Sequence, residues 1–277
     1  MKLTFRLETP EDFRGVEELI RDAFWGYLEP TCNEHYLGHL LRKVPAFLPE
    51  LDYVAEAGGK LVGNVMYSNA KVVGKTGEEH EVLTFGPLSV SPEYRYGGVG
   101  SALMRHTILK AKELGYRAIV FYGHPDYYPR FGFRNAGALG ITTPNGENFD
   151  ALMAMELYEA ALDGISGAFY EDPVFNIREE EAEAYDRNFS HREPAKMVPI
   201  GALLEKLKPA ARKALTDRNF TTLVWLNRVS GRELLTWSGI DRQAFETINS
   251  VLKEYGIPEK LPPESEIFRH IENGTRH

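Results

Sequence analysis

The sequence predicts an α/β fold, a mixed and largely antiparallel sheet flanked by helices, followed by a second, small all-α domain. Three observations predict it: alternating strand and helix periodicities through residue 175, a glycine-rich turn joining a strand to a helix among them, and a switch to purely helical spacing near residue 199. The chain has 277 residues, 43% hydrophobic and 12% aromatic, enough for one large core or two modest ones.

The elements follow in order. LTFRLE alternates like a strand, and Thr9, Pro10, Glu11 and Asp12 supply an N-cap, a first-turn proline and first-turn acids for a helix to about Tyr27. A second helix is predicted from Glu34 to Lys43. DYVAEA, KLVGNVMYSNAKVV and EVLTFGPLSV read as an antiparallel meander, broken by Gly-Gly and by a polar turn at Gly74 to Glu79. From Val99 the apolar positions Val99, Leu103, Ile108, Ala111 and Leu114 have helical spacing; Gly115 closes that helix and RAIVFY is a short buried strand. ALMAMEL adds a last strand, which completes a mixed sheet with helices on both faces.

Charge divides the chain the same way. Residues 1 to 198 hold 20 Lys and Arg against 30 Asp and Glu, whereas 199 to 262 hold 10 against 7. Such asymmetry indicates separate modules. The expected division is an α/β domain over 1–175, an acidic helical or partly mobile linker over 176–198, a helical domain over 199–262 and a tail over 263–277. The N-terminal residues are charged without an apolar core segment, and no run of 18 apolar residues occurs, so a soluble cytoplasmic protein is expected. Cys32 is the only cysteine, which excludes an intrachain disulfide and any multi-thiolate metal site.

The turn Arg95-Tyr96-Gly97-Gly98-Val99-Gly100 joins the strand ending at Val90 to the helix beginning near Val99. Glycines let successive backbone N–H groups converge, and a helix start adds unpaired donors and a partial positive charge, a combination that binds pyrophosphate. ATP is disfavoured because Ser101-Ala102 follows where a Walker loop has Lys-Ser/Thr. NAD is disfavoured because Leu103 stands where a third small residue is required and Tyr122-Gly123 where an acid is required.

Leu88-Ser89-Val90-Ser91-Pro92, followed by Arg95, Gly98 and Gly100, resembles the signature of the GNAT superfamily of acyl-CoA-dependent N-acyltransferases, Leu-x-Val-x-Pro and then Arg/Gln-x-x-Gly-x-Gly/Ala. Tyr128 to Phe133 resembles a second family element, Tyr-x-x-x-Gly-Phe. The resemblance covers about residues 1 to 175. It implies a GNAT-type fold with acetyl-CoA or another acyl-CoA as co-substrate and no metal. It also implies a diphosphate held by Arg95, Tyr96, Gly97, Gly98, Val99, Gly100 and Ser101, and pantetheine hydrogen-bonded along the Leu88, Ser89, Val90 backbone in a gap between parted strands. Pro87, which cannot donate to a ladder, is expected to end pairing with one neighbour and favour a bulge.

Acyl transfer from a thioester to an amine requires a neutral nucleophile from a group of pKa about 10.4 and a proton for a thiolate of pKa about 8.5. Tyr128 matches the family tyrosine that protonates the CoA sulfur. The position of the family's basic Glu on the signature strand falls here on Thr84, which cannot act as a base. Glu81, through ordered water, and His124, the only side-chain type with an unperturbed pKa near about 6.5, are the candidates. Cys32, His35 and His39 have a spacing that suits a catalytic zinc, but no carboxylate can be assigned behind them; acceptor contact is the expected role.

In the tail, Leu203, Leu204, Leu207, Ala211, Ala214 and Leu215 form one helical face, Ser230 with Glu233 reads as a capping box, and Gly256 then Pro258 ends the last helix. The pattern is similar to the helix-hairpin-helix C-terminal domain of the bacterial RNA polymerase alpha subunit. Ala210 replaces its DNA-contacting arginine and Asp241 its hairpin glycine, which favours protein contact or packing over nucleic acid despite Lys208, Arg212, Lys213 and Arg242. The reading is an N-acetyltransferase acting by direct transfer to a primary amine of a small molecule or of a protein lysine or N-terminus, with no membrane partner. The alternative is a non-catalytic acyl-CoA sensor whose tail docks on the transcription machinery or DNA.

Overall fold

The computed structural model describes residues 2–27, 29–95, 97–218, 220–257 and 259–260. Strand β1 (Leu3–Leu7) leads through a capping box, in which Asp12 accepts from the Thr9 N–H and hydroxyl, into α1 (Phe13–Phe24). Helix α2 (Glu34–Leu41) precedes the meander β2 (Tyr53–Ala57), β3 (Lys60–Val73) and β4 (Glu79–Val90). Helix α3 (Val99–Glu113) and β5 (Ala118–Tyr122) follow. Short strands β6 (Arg134–Asn135) and β7 (Ile141–Thr142) precede β8 (Leu152–Glu156) and β9 (Gly167–Tyr170). The sheet runs β1-β2-β3-β4-β5-β8-β6, with β9 joined to β3 and β7; only the β4–β5 and β7–β9 contacts are parallel. The fold is thus the mixed, mostly antiparallel sheet between helices that the sequence predicts, with β6, β7 and β9 as additions too short to carry a periodicity.

Two apolar faces hold this sheet. On one, Leu103, Met104, Ile108 and Ala111 of α3 pack against Tyr67, Leu83, Phe85 and Phe121, each such side chain contributing about 1.5–3 kcal/mol when fully buried. The helix approaches closely because Gly63 has no side chain: a Cβ there would lie 2.8 Å from Leu103 and 2.9 Å from Val99. On the other face, Val16, Ile20 and Leu41 from α1 and α2 cover Val54 and Met66.

The expected acidic linker is helical over part of its length and is fastened to the sheet domain at several points. Within it, α4 (Glu179–Asp186) docks on α1 through a two-pronged Arg21–Asp186 pair at 2.6 and 3.0 Å, and the Tyr185 hydroxyl donates to Glu17 at 2.9 Å. Further on, Arg192 pairs with Asp22, the Trp25 indole donates to the Glu193 carbonyl, and Ala195 N–H donates to the Pro30 carbonyl. The pairs that fasten the run to α1, Asp186 on Arg21 and Arg192 on Asp22, join residues far apart in the chain, which sequence periodicity cannot display.

The C-terminal part is helical: α5 (Gly201–Leu204), α6 (Pro209–Thr216), α7 (Gly231–Thr236) and α8 (Arg242–Glu254) enclose a separate core of Leu203, Leu215, Leu226, Leu234 and Ile248. The single face expected from Leu203 to Leu215 is divided between α5 and α6, since Lys208 is extended and Pro209 starts a new helix. The Ser230 hydroxyl accepts from Glu233 N–H at 2.9 Å, as the cap predicts, and Gly256, at φ +70°, follows the last helix. Pro258, Leu261, Pro262 and the expected tail lie outside the described residues.

Candidate active site

The site is built around a fork in the sheet. Strand β4 pairs with β3 along its length, but with β5 only at Leu83↔Ile119. Beyond that point Gly86-Pro87 interrupts the register, so that Val65 faces Leu88 while Tyr67 faces Phe85, and β5 continues alongside β8 instead. The bulge expected from Pro87 is therefore present, and it turns the far end of β4 away from β5. A cavity of about 1130 Å³ fills the opening.

At one end of this cavity lies the glycine turn. Gly98 caps α3 in the left-handed conformation at φ +82°, and Val99, Gly100 and Ser101 begin the helix at the cavity wall with their amides outside any helical ladder. The Ser101 hydroxyl is 3.2 Å from the Tyr127 hydroxyl. Arg95 also lines the cavity and donates to the Ala23 carbonyl at 2.6 Å, which ties the turn to the end of α1. Gly97 donates its N–H to the Tyr94 carbonyl at 3.2 Å, and Tyr96 lies outside the described residues. Leu88 and Val90 line the opening; Ser89 between them is fully buried, pairs with Asn64 of β3 and does not line it.

Midway along the cavity the two faces of the sheet meet through the fork. From the α3 face, Tyr128 stands among Phe85, Phe121 and Phe133 at ring distances of 5.7, 4.6 and 5.9 Å. Burial, with the neighbouring Tyr127 and Tyr67 hydroxyls, pushes its pKa far above the ordinary phenol value, so it carries its proton at any neutral pH. His124 lines the cavity too, with Nδ1 accepting from Asp126 N–H at 3.3 Å.

From the opposite face comes Glu171, immediately after β9. Its carboxylate accepts from the Thr84 hydroxyl at 3.1 Å and lines the cavity near Tyr122. Burial raises its pKa above the usual carboxylate range, and the Thr84 hydrogen bond limits the rise. Glu34 joins it at this end, also raised by burial, with Oε2 accepting from Asn33 N–H at 3.1 Å. Sequence reasoning missed both: the only signal was Thr84 itself, a hydroxyl where the signature strand of the family carries an acid. Glu81, by contrast, is exposed, lies opposite Lys71 on the sheet and does not line the cavity. Its place is set by strand alternation, which leaves it outside the fork.

Cys32, His35 and His39 do not line the cavity either; their neighbours Glu34 and Leu37 do. His35 is buried 3.2 Å from Asp186, and desolvation lowers its pKa to about 4, so it is neutral. His39 faces Glu17 at 3.1 Å and the Tyr185 hydroxyl at 2.8 Å. These histidines help fasten α4 and are not placed for acceptor contact. Among the described residues no group of three or more His, Cys, Asp and Glu could hold a metal ion, and no helix is long and apolar enough to cross a membrane.

The family model for the acetyltransferase (GNAT) domain matches residues 50–135. The chain is 30% identical over 176 residues to the uncharacterized N-acetyltransferase YhbS of Escherichia coli K12, covering 63% of this chain and 99% of that protein. It is 35% identical over 142 residues to the uncharacterized N-acetyltransferase YjhQ of the same strain, covering 51% of this chain and 75% of that one. The crystal structure of Escherichia coli YhbS in complex with CoA has a TM-score of 0.57 at 28% identity, covering 64% of this chain and 93% of that one. The glycine turn, the forked strands and these likenesses agree, and the chain belongs to the GNAT family of N-acetyltransferases.

Proposed function

We propose that this enzyme transfers an acetyl group from acetyl-CoA to a primary amine by direct attack in a ternary complex. The observation that carries the reading is the fork itself: an opening between β4 and β5 with the amides of a glycine turn at one end and a tyrosine and a glutamate facing across its middle. The CoA complex of YhbS supports the same co-substrate here. In this reading Gly98 to Ser101 and Arg95 receive the diphosphate, with Tyr96 and Gly97 beside them in sequence, and the strand backbone over Leu88, Ser89 and Val90 receives pantetheine. Arg95 also keeps the turn against α1. His124, which lines the cavity, is the other candidate for the base.

The chemistry follows. The amine nitrogen attacks the thioester carbonyl carbon, the C–S bond breaks, and the Tyr128 hydroxyl gives its proton to the departing sulfur. An acceptor that arrives as an ammonium first gives one proton to the ionised Glu171 carboxylate, held at the cavity wall by the Thr84 hydroxyl, and the proton that the nitrogen sheds as the amide forms returns to the Tyr128 oxygen. Glu34 and Glu171 also favour an acceptor that arrives as a cation, consistent with the formal net charge of −8. The acceptor is accordingly an amine of a small molecule, or a lysine or N-terminus of a protein.

For the helical part, residues 199–262, we infer a role within this chain over a grip on nucleic acid. Asp241, at the position where the sequence comparison with the RNA polymerase alpha domain places a hairpin glycine, caps α8 by accepting from Ala244 N–H at 2.7 Å, and its charge opposes phosphate.

Free-thiol release from acetyl-CoA, measured over a panel of diamines, polyamines, aminoglycosides and lysine peptides, tests the reading. Turnover with at least one cationic amine, falling about 10²-fold or more in Tyr128→Phe, is expected. Turnover unchanged by that substitution removes Tyr128 as the acid, and no melting shift with acetyl-CoA removes the co-substrate.

A further inference from the structure

The cavity is not walled by the sheet domain alone. Its outer side is formed by the C-terminal helical part: Arg218, Trp225, Arg232, Glu233 and Trp237 all line it, across from the glycine turn. The two parts touch at that rim. Trp225 stacks on Tyr27 at 6.3 Å between centroids and 21° between planes, and the buried Lys260 lies near enough to Arg95 and Glu233 to feel both charges.

Four arginines, Arg95, Arg130, Arg218 and Arg232, line this cavity beside the acids Glu34, Asp126, Glu171 and Glu233, in a chain whose acids exceed its bases by eight. All three tryptophans of the sequence, Trp25, Trp225 and Trp237, line this one cavity. Arg218 is held in place: its guanidinium sits 4.1 Å over the Trp237 ring and donates to the Ala214 carbonyl at 3.0 Å. A planar, permanently charged group fixed against an aromatic face suits a phosphate on one side and a purine on the other.

Resting on the co-substrate reading above, we propose that the C-terminal helical domain completes the CoA site, with Arg218 and Arg232 binding the phosphates of the 3′-phospho-ADP moiety and Trp225 and Trp237 flanking its adenine. The glycine turn supplies amides to the diphosphate from below, and the helical domain supplies side chains from above. The 63% of the chain matched by YhbS already spans 99% of that protein, so the added wall is a feature of this longer chain.

The test uses the full chain and tryptophan fluorescence, with three probes: acetyl-CoA, 3′-dephospho-acetyl-CoA and acetylpantetheine. Acetyl-CoA is expected to quench the emission, and 3′-dephospho-acetyl-CoA to bind more weakly. The Arg218→Ala plus Arg232→Ala double variant is expected to weaken acetyl-CoA binding by tenfold or more while leaving acetylpantetheine binding within twofold. Arg218→Lys, which keeps the charge and loses the planar fork, should fall between; it also guards against a folding defect, judged by its melting temperature. Double-variant affinity for acetyl-CoA within twofold of the unaltered chain, or above it, overturns the proposal alone. No binding of acetyl-CoA by the unaltered chain overturns the co-substrate reading and the proposal with it.

Discussion

The two ends of the cavity are made by different means. At the glycine end the cavity wall is made by the backbone of consecutive residues, held by one turn and one helix start. At the fork it is made by side chains from residues 34, 122, 128 and 171, brought together from both faces of the sheet. An anion of fixed charge can be met by amides that never move or titrate, whereas a reaction that transfers protons needs side chains whose affinity for a proton the surroundings adjust. The first kind of site is local in sequence and the second is not.

The sharpest way to break this contrast is at Glu171. Glu171→Gln is expected to lower kcat by about 10²–10³ while acetyl-CoA affinity stays within about twofold, since only proton transfer is lost. The unaltered enzyme should gain activity as pH rises through the raised pKa of Glu171, because only the ionised form accepts a proton; the Gln variant should lose that limb of the profile. Stability runs the other way. A carboxyl whose folded pKa lies above its unfolded value favours folding when protonated, so that stability is lost as pH climbs from the unfolded value through the folded one. Thermal melts from acid to neutral pH should show a shallower fall for Gln than for Glu.

Next in size is Gly63→Ala. Its Cβ would meet Leu103, Val99 and the Ser89 carbonyl at 2.8, 2.9 and 3.2 Å, so a loss of about 1–3 kcal/mol in denaturant unfolding is expected, together with weaker acetyl-CoA binding as α3 shifts. Gly98→Ala should cost about 1–2 kcal/mol because the residue sits at φ +82°, and acetyl-CoA affinity should fall about tenfold in calorimetry with kcat at saturation nearly kept. The smallest effect is expected from Thr84→Val. Losing the 3.1 Å hydrogen bond that lowers the pKa of Glu171 should move the rising limb of the pH profile to higher pH and reduce neutral-pH kcat by roughly threefold to tenfold. A glycine variant that altered the pH profile, or a Glu171 variant that lost CoA, would erase the distinction between the two ends.

The same distinction explains what could be read from the sequence. Gly97, Gly98 and Gly100 before a helical pattern, Pro87 within a strand and the element order through Leu157 are signals carried by neighbours in the chain, and the turn, the bulge and the sheet all appear where those signals lie. Glu171 was invisible because it is 87 residues from Thr84 and follows β9, a four-residue strand whose pairing with β3 and β7 no periodicity announces. Glu81 was chosen for its place on the signature strand, but position along a strand does not say which side of a fork a side chain reaches. Cys32, His35 and His39 looked like a set through their spacing, yet α2 turns Glu34 and Leu37 to the cavity and the histidines toward α4. Arg218 and Arg232 belong to a segment whose own core gives no hint that its surface closes over another domain.

The anchored segment after α4 sets a leash on the helical domain. Its last tie to the sheet domain is the Ala195–Pro30 hydrogen bond, and α5 begins at Gly201. Five intervening residues span at most about 20 Å even when fully stretched. A helical domain on so short a tether meets its own sheet domain at an effective concentration in the millimolar range, so that parting and rejoining of the rim contacts are events within one molecule.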